Sequence, residues 1–205
     1  MELVKYNNNS ISAVTSTGLA SGSLVHIKTL TASSSGTLSF VHGSNGVVLD
    51  STYPIYKFEF INIHPATDGV AFQVNFRDGG SAYDAVKTTT GFTAYHNEAG
   101  NDAALGYVTS LDLAQSTGVQ QLSQNTGADA DQNLAGELTL YNPSSTTFVK
   151  NFIATTTENH SGDYFINYFV AGYNNVTAAI DGVQFSFSSG NIDAGKIKLY
   201  GIKDS

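Results

Sequence analysis

Tyr56-Lys57-Phe58-Glu59-Phe60-Ile61-Asn62-Ile63-His64-Pro65-Ala66-Thr67-Asp68-Gly69-Val70-Ala71-Phe72-Gln73-Val74-Asn75-Phe76 is the stretch on which the fold turns. Tyr56, Phe58 and Phe60 share one parity, with Lys57 and Glu59 on the other. Val70, Phe72, Val74 and Phe76 then alternate with Ala71, Gln73 and Asn75. A period of two marks a half-buried strand, because successive side chains point to opposite faces. Ile63 to Gly69, between the two runs, carries Pro and Asp-Gly turn chemistry. The pattern predicts two neighbouring antiparallel strands joined by a short loop.

The same signal recurs on both sides. Leu38 and Phe40, then Phe92, Ala94 and His96, alternate with their neighbours. Further strands are predicted over Glu137–Tyr141, Phe148–Thr156, Tyr164–Tyr173, Val183–Phe187 and Lys196–Ile202. Turn clusters such as Asn142-Pro143-Ser144-Ser145, Asn159-His160-Ser161-Gly162 and Ser188-Ser189-Gly190-Asn191 separate them. The polar region Gly106–Gly136 reads as long loops or a short edge strand, and no segment sustains a helical period. This spacing of short strands predicts an all-β antiparallel sandwich of jelly-roll type. Phe58, Phe60, Phe72, Val74, Phe185, Phe187, Ile197 and Leu199 are its expected core. Asp68-Gly69-Val70-Ala71-Phe72 echoes Asp181-Gly182-Val183-Gln184-Phe185. Pseudo-symmetry and ordinary turn-plus-strand chemistry explain the echo equally.

With 205 residues, 41% of them hydrophobic, one sizeable β domain is expected over residues 23–205. Residues 1–22 are rich in Ser, Asn, Thr and Gly, and read as an extended arm or a frayed terminus. Their few apolar side chains cannot offset a backbone ordering cost of about 1–2 kcal/mol per residue. As an arm, the segment is expected to order on a neighbour's sheet edge, with Val4, Tyr6 and Ile11 as anchors.

Charge narrows the partners. Only 13% of residues are charged, the net charge is −8, and Arg77 is the one arginine. Nucleic-acid binders neutralise phosphates with clustered Lys and Arg, so nucleic acid is not an expected partner. Apolar runs are far shorter than the ~20 residues of a membrane span, so no membrane is expected either. The first residues have no apolar signal-peptide core. The surface must be built from Ser, Thr, Asn, Gln and Gly, as on secreted, fibrous or particle-surface proteins.

No catalytic or cofactor chemistry is legible. There is no cysteine, hence no disulfide and no thiolate metal site. His26, His42, His64, His96 and His160 lack metal-ligand spacing and fall at turns or strand ends. No nucleophile elbow or phosphate-cradling loop occurs. Asp129-Ala130-Asp131-Gln132-Asn133 begins like a calcium loop, but Leu134 stands where the sharp-turn Gly belongs and Leu140 where the bidentate Glu belongs. The chain is expected to be non-enzymatic, with no cofactor and no metal.

Several stretches carry a resemblance. Leu3-Val4-Lys5-Tyr6-Asn7-Asn8-Asn9-Ser10-Ile11 resembles the short leader of structural proteins of tailed bacteriophages, marine ones especially. Tyr53-Pro54-Ile55-Tyr56-Lys57-Phe58-Glu59-Phe60 with Ile63-His64-Pro65 is similar to a recurring stretch in that group, as is Asn142 to Lys150. Ser188 to Gly201 resembles a C-terminal strand ending of phage fibre and decoration domains. The resemblance implies a β-sandwich virion protein, assembled in the host cytoplasm and bound to other virion proteins as a homo-oligomer, commonly a trimer. It transfers no catalytic or binding residue. Two roles fit: a capsid decoration (cement) protein on the shell exterior, or a tail-fibre or receptor-binding head domain. In the second, Tyr107, Tyr141, Tyr164, Tyr168 and Tyr173 are available to stack on glycans. The absence of a long shaft favours the first.

Overall fold

The structure, a computed structural model, describes residues 23–204. Twelve strands follow in chain order: β1 Leu24–Thr31, β2 Leu38–Val41, β3 Ile55–Pro65, β4 Phe72–Arg77, β5 Lys87–Asn97, β6 Ala103–Tyr107, β7 Gln120–Gln121, β8 Leu134–Tyr141, β9 Lys150–His160, β10 Tyr164–Asn174, β11 Gly182–Phe187 and β12 Ile192–Ile202. Among the described residues the only helical element is the 3-10 turn Thr109–Leu111. Two antiparallel sheets pack as a sandwich. One has eight strands in the order β1-β12-β3-β8-β9-β10-β5-β6, the other four in the order β2-β11-β4-β7.

Parity decides which side chains meet between the sheets. β3 turns Tyr56, Phe58, Phe60 and Ile63 inward, and the step from Phe60 to Ile63 is a bulge with Asn62 at φ 51°. Adjacent strands are irregular at the same level. In β12 a Cβ on Gly195 would lie 2.4 Å from the Asn62 carbonyl oxygen, and in β8 one on Gly136 would lie 2.3 Å from that of Thr155. Glycine is required where backbones approach this closely, and stacked bulges bend a sheet around its core. All eight residues expected in the core are buried. Phe72 lies at its centre, with ring centroids 5.2 Å from Phe60, 5.8 Å from Phe185 and 5.4 Å from Phe187.

The predicted β3–β4 hairpin is not present. β3 is flanked by β12 and β8, so both its edges are occupied, and β4 crosses into the other sheet between β11 and β7. Phe60 and Phe72 do meet, but from opposite layers. Gln73 and Asn75, on the far face of β4, are buried too, because loops cover them: the Asn75 amide donates to the carbonyls of Tyr83 and Thr117. The echoed segments end in β4 and β11, neighbours in the four-stranded sheet, with Phe187 opposite Phe72. Arg77 clamps that pair, donating from Nε and Nη2 to the two carboxylate oxygens of Asp181 at 2.8 and 3.0 Å. Within Gly106–Gly136 the chain forms the two-residue edge strand β7 and buries Leu111 and Leu122. β8 then begins at Leu134, three residues before the predicted start.

Two lysines face inward. Lys87 and Lys150 open β5 and β9 and flank Asn174 of β10 in register. Both are fully buried. The Lys87 amine donates to the Gly118 carbonyl at 2.7 Å, and the Lys150 amine to those of Val176 and Ala178. Desolvation pushes Lys87 down to about 8 and lowers Lys150 as well. Below about pH 8 the Lys87 amine is charged in both folded and unfolded chains. Between 8 and 10 the folded chain has released a proton that the unfolded chain still holds, so stability rises with pH. Above 10 the sign reverses, because burial raises Tyr56 to about 12 and the unfolded chain ionises first. Urea unfolding is expected to show a gain of about 2 kcal/mol between pH 7.5 and 9.5, mostly lost in Lys87→Met. A flat profile in the wild-type chain would refute the buried amine.

Candidate functional site

The eight-stranded sheet has an outer face of two unlike halves. On β1, β12, β3 and β8 it carries charge: Lys57 reaches Glu137 at 2.6 Å and Glu59 at 4.0 Å, with Lys196 and Lys198 alongside. On β9, β10, β5 and β6 the outward positions include no Lys, Arg, Asp or Glu, and His96 is the sole ionisable group apart from tyrosines. Large apolar side chains stand out instead: Phe92 is 44% exposed, Leu105 73%, Tyr107 63%, Ile153 50% and Phe165 52%.

The register sorts this half into rows. Tyr107, Phe92 and Phe169 lie side by side across β6, β5 and β10, and the rings of Phe92 and Phe169 stack 4.8 Å apart at 11°. The next row is low at Thr90 of β5 and Ala171 of β10, with Ile153 of β9 rising at its end. Beyond it Tyr173 rises again, between Thr88 and Asn151. The low row is the floor of a shallow groove of about 470 Å³ that continues as a smaller one of about 200 Å³ under Phe92 and Phe169. Both parities of β10 are apolar, since Phe165, Phe169 and Ala171 alternate with Ile166, Tyr168 and Val170. That double pattern is the sequence signal of this face. It reads as a strand buried on both sides, and only the structure shows one side uncovered.

A second feature is a tip formed where β5, β6, β9 and β10 turn. Tyr95 and Tyr164 meet edge to face at 5.7 Å, and the Tyr164 hydroxyl donates to Asp102 at 3.0 Å. With His160 and Ile166 they line a recess of about 170 Å³. A third is internal. Glu158 of β9 accepts from Tyr168 at 2.6 Å, from the Thr126 hydroxyl at 2.9 Å and from the Asn125 amide at 3.4 Å. Ser123 lies 2.8 Å from Thr126 and accepts the amide of Phe72 at 3.0 Å. A chain of hydroxyls thus runs from the four-stranded sheet to Glu158 in the eight-stranded one. Burial first, then the Glu158 charge, raises Tyr168 far above the ordinary phenol range. Ser123, Thr126, Glu158 and Tyr168 are all buried, so the network ties the two layers together.

Val4, Tyr6 and Ile11 lie outside the described residues. Asp129 to Asn133 border a polar recess with His64 and Asp193, where the His64 Nε2 lies 3.3 Å from the Asp129 carbonyl oxygen. Among the described residues no three His, Asp or Glu side chains converge as metal ligands do. Of the five tyrosines, Tyr168 is buried, Tyr107, Tyr141 and Tyr173 lie on the outer face, and Tyr164 is at the tip. His26, His42 and His160 hydrogen-bond locally, to the Thr29 hydroxyl and the amides of Leu49 and Gly162. No family model, curated protein or solved structure matches the chain.

Proposed function

We propose that this chain is a non-enzymatic structural protein on the exterior of a tailed-bacteriophage particle, a decoration protein that binds and stabilises the shell. The observation that carries it is the divided outer face: a broad, shallowly grooved, uncharged area, apolar over β5, β6 and β10, suits an extended protein partner, where a small-molecule site would be a deep concave pocket. The resemblance of the leader, of Tyr53 to Pro65 and of Ser188 to Gly201 supplies the virion context. Attachment through an arm anchored by Val4, Tyr6 and Ile11, self-association, and assembly in the host cytoplasm belong to the same proposal. So does a jelly-roll connectivity. It is supported by β2-β11-β4-β7 facing β3-β8 and β5-β6, with the β9–β10 hairpin inserted and β12 and β1 added at one edge.

The test is imaging of particles that lack the protein after the purified chain is added back. New density on the shell exterior is expected, weakened when residues 2–22 are deleted. Density on the tail alone, or no binding, overturns the decoration role. The tip recess favours a second reading, a receptor-binding head: paired tyrosine rings beside the Asp102 carboxylate suit a sugar's C–H face and hydroxyls. In that case glycan binding would be lost in Tyr164→Ala.

A further inference from the structure

We propose that the apolar half of the outer face is a self-association surface, on which two copies of this chain pair about a two-fold axis. The inference rests on the assembly role proposed above and deepens it by naming the occupant of the face. Three observations carry it. The first is shape. A two-fold contact uses one patch twice, so the patch must hold both members of each contact. Here a raised row, Tyr107, Phe92 and Phe169, lies beside a groove floored by Thr90 and Ala171 and edged by Ile153. Strand geometry sets neighbouring rows about 7 Å apart. The ridge of one copy therefore seats in the groove of the other, and the reciprocal contact forms at the same time.

The second observation is charge. The whole chain carries −8, so two copies repel wherever acids come together. The outward strand positions of this half-face carry no acid, while Asp112 and the acids of the tip, such as Asp102, lie at its border. An uncharged centre with a polar rim is the usual anatomy of a protein interface. The third is area. β9, β10 and β5 are 11 residues long and β6 is 5. At about 3.3 Å per residue and 4.8 Å between strands they present roughly 600 Å² in all, with the polar Asn151, Thr155, Thr157 and Asn159 of β9 as one margin. Two such faces bury roughly 1,200 Å², the lower end of the range for specific stable complexes. The resemblance implies a trimer, but a patch that carries its own complement closes at two.

The experiment is sedimentation of the full chain over a concentration series reaching about 50 µM, with circular dichroism to confirm folding. The wild-type chain is expected to sediment at twice the chain mass. Ile153→Glu sets a carboxylate against the partner's aromatic ridge in both reciprocal contacts, and should weaken pairing by at least about 100-fold. Ala171→Phe adds no charge but fills the groove, and should also release monomers. Lys196→Glu, on the charged half, should leave the dimer intact.

A wild-type monomer at the highest concentration, a trimer, or a dimer insensitive to both face variants overturns the inference. A monomer whose binding to shells is abolished by Ile153→Glu assigns the face to the shell and leaves the decoration role standing. A monomer that pairs only after residues 1–22 are removed assigns it to the chain's own N-terminal segment. Both of those results reject self-association. A dimer that dissociates with Ile153→Glu yet binds no part of a particle supports the pairing and overturns the virion role alone.

Discussion

Phe72→Ala is expected to lower the unfolding free energy by about 3–5 kcal/mol. Phe72 is fully buried, and its ring touches aromatic side chains from both layers: Phe60 from the eight-stranded sheet, Phe185 and Phe187 from the four-stranded one. Each neighbour is fixed by its own strand pairing, so the surroundings cannot collapse into the void, and cavity cost adds to lost burial. The backbone of Phe72 stays hydrogen-bonded, accepting from Leu122 at 2.7 Å and donating to Ser123. The loss is therefore one of packing. Phe148→Ala makes the contrast: Phe148 is mostly exposed in the loop before β9, and its replacement should change stability by no more than about 0.5 kcal/mol. Equal midpoints for the two variants in a denaturant melt would place Phe72 outside the core.

The second large effect is expected at Glu158. Glu158→Ala removes the shared acceptor of Tyr168, Thr126 and the Asn125 amide, in a site closed to water. Hydroxyls stranded without a partner cost more than the bond itself was worth, and loss of one member of a buried charged network typically costs about 3–5 kcal/mol. Tyr168→Phe leaves the carboxylate two of its three donors, and should cost about 1–3 kcal/mol. Glu158→Gln should fall between these, since it keeps one acceptor oxygen but turns an amide N–H toward a donor. The order Ala, Gln, then Tyr168→Phe in unfolding midpoints is the check. A Glu158→Ala chain as stable as wild type would show that the network contributes nothing.

Parity was the legible part of this fold. Alternation in Tyr56 to Phe60 and Val70 to Phe76 identifies which side chains enter the core, and Phe58, Phe60, Phe72 and Val74 are all there. It does not identify the sheet to which a strand belongs. Phe60 and Phe72 point into one core whether their strands lie side by side or face to face, and turn chemistry fits both. That depends on β12 claiming the free edge of β3, a pairing with well over 100 residues between the partners. The buried charges were hidden for a related reason. Lys87, Lys150 and Glu158 look like surface residues until Gly118, Val176 and Thr126 are brought to them by loops distant in sequence. The uncovered face was hidden by its composition: Phe165 and Phe169 alternating with Tyr168 and Val170 describe a strand buried on both sides, and no local pattern reveals a missing cover.

The strand order sets a timetable for the newborn chain. β12 sits between β1 and β3, and β11 sits between β2 and β4. Until Gly182–Ile202 has been made, β1 and β2 have no partner at all, and each sheet is missing an interior strand. Local hairpins such as β8–β9 and β9–β10 can close early, but their apolar inner faces have half a lid. Some 125 residues separate the end of β4 from the end of β12, an interval of on the order of 10 s at ordinary ribosome speeds. Exposed aromatics and open strand edges over that interval favour aggregation, and dependence on such distant pairings makes the final closure slow. A ribosome-bound chain arrested before residue 182 should therefore remain protease-sensitive and dependent on chaperones, whereas one released after residue 202 should lock in a single late step.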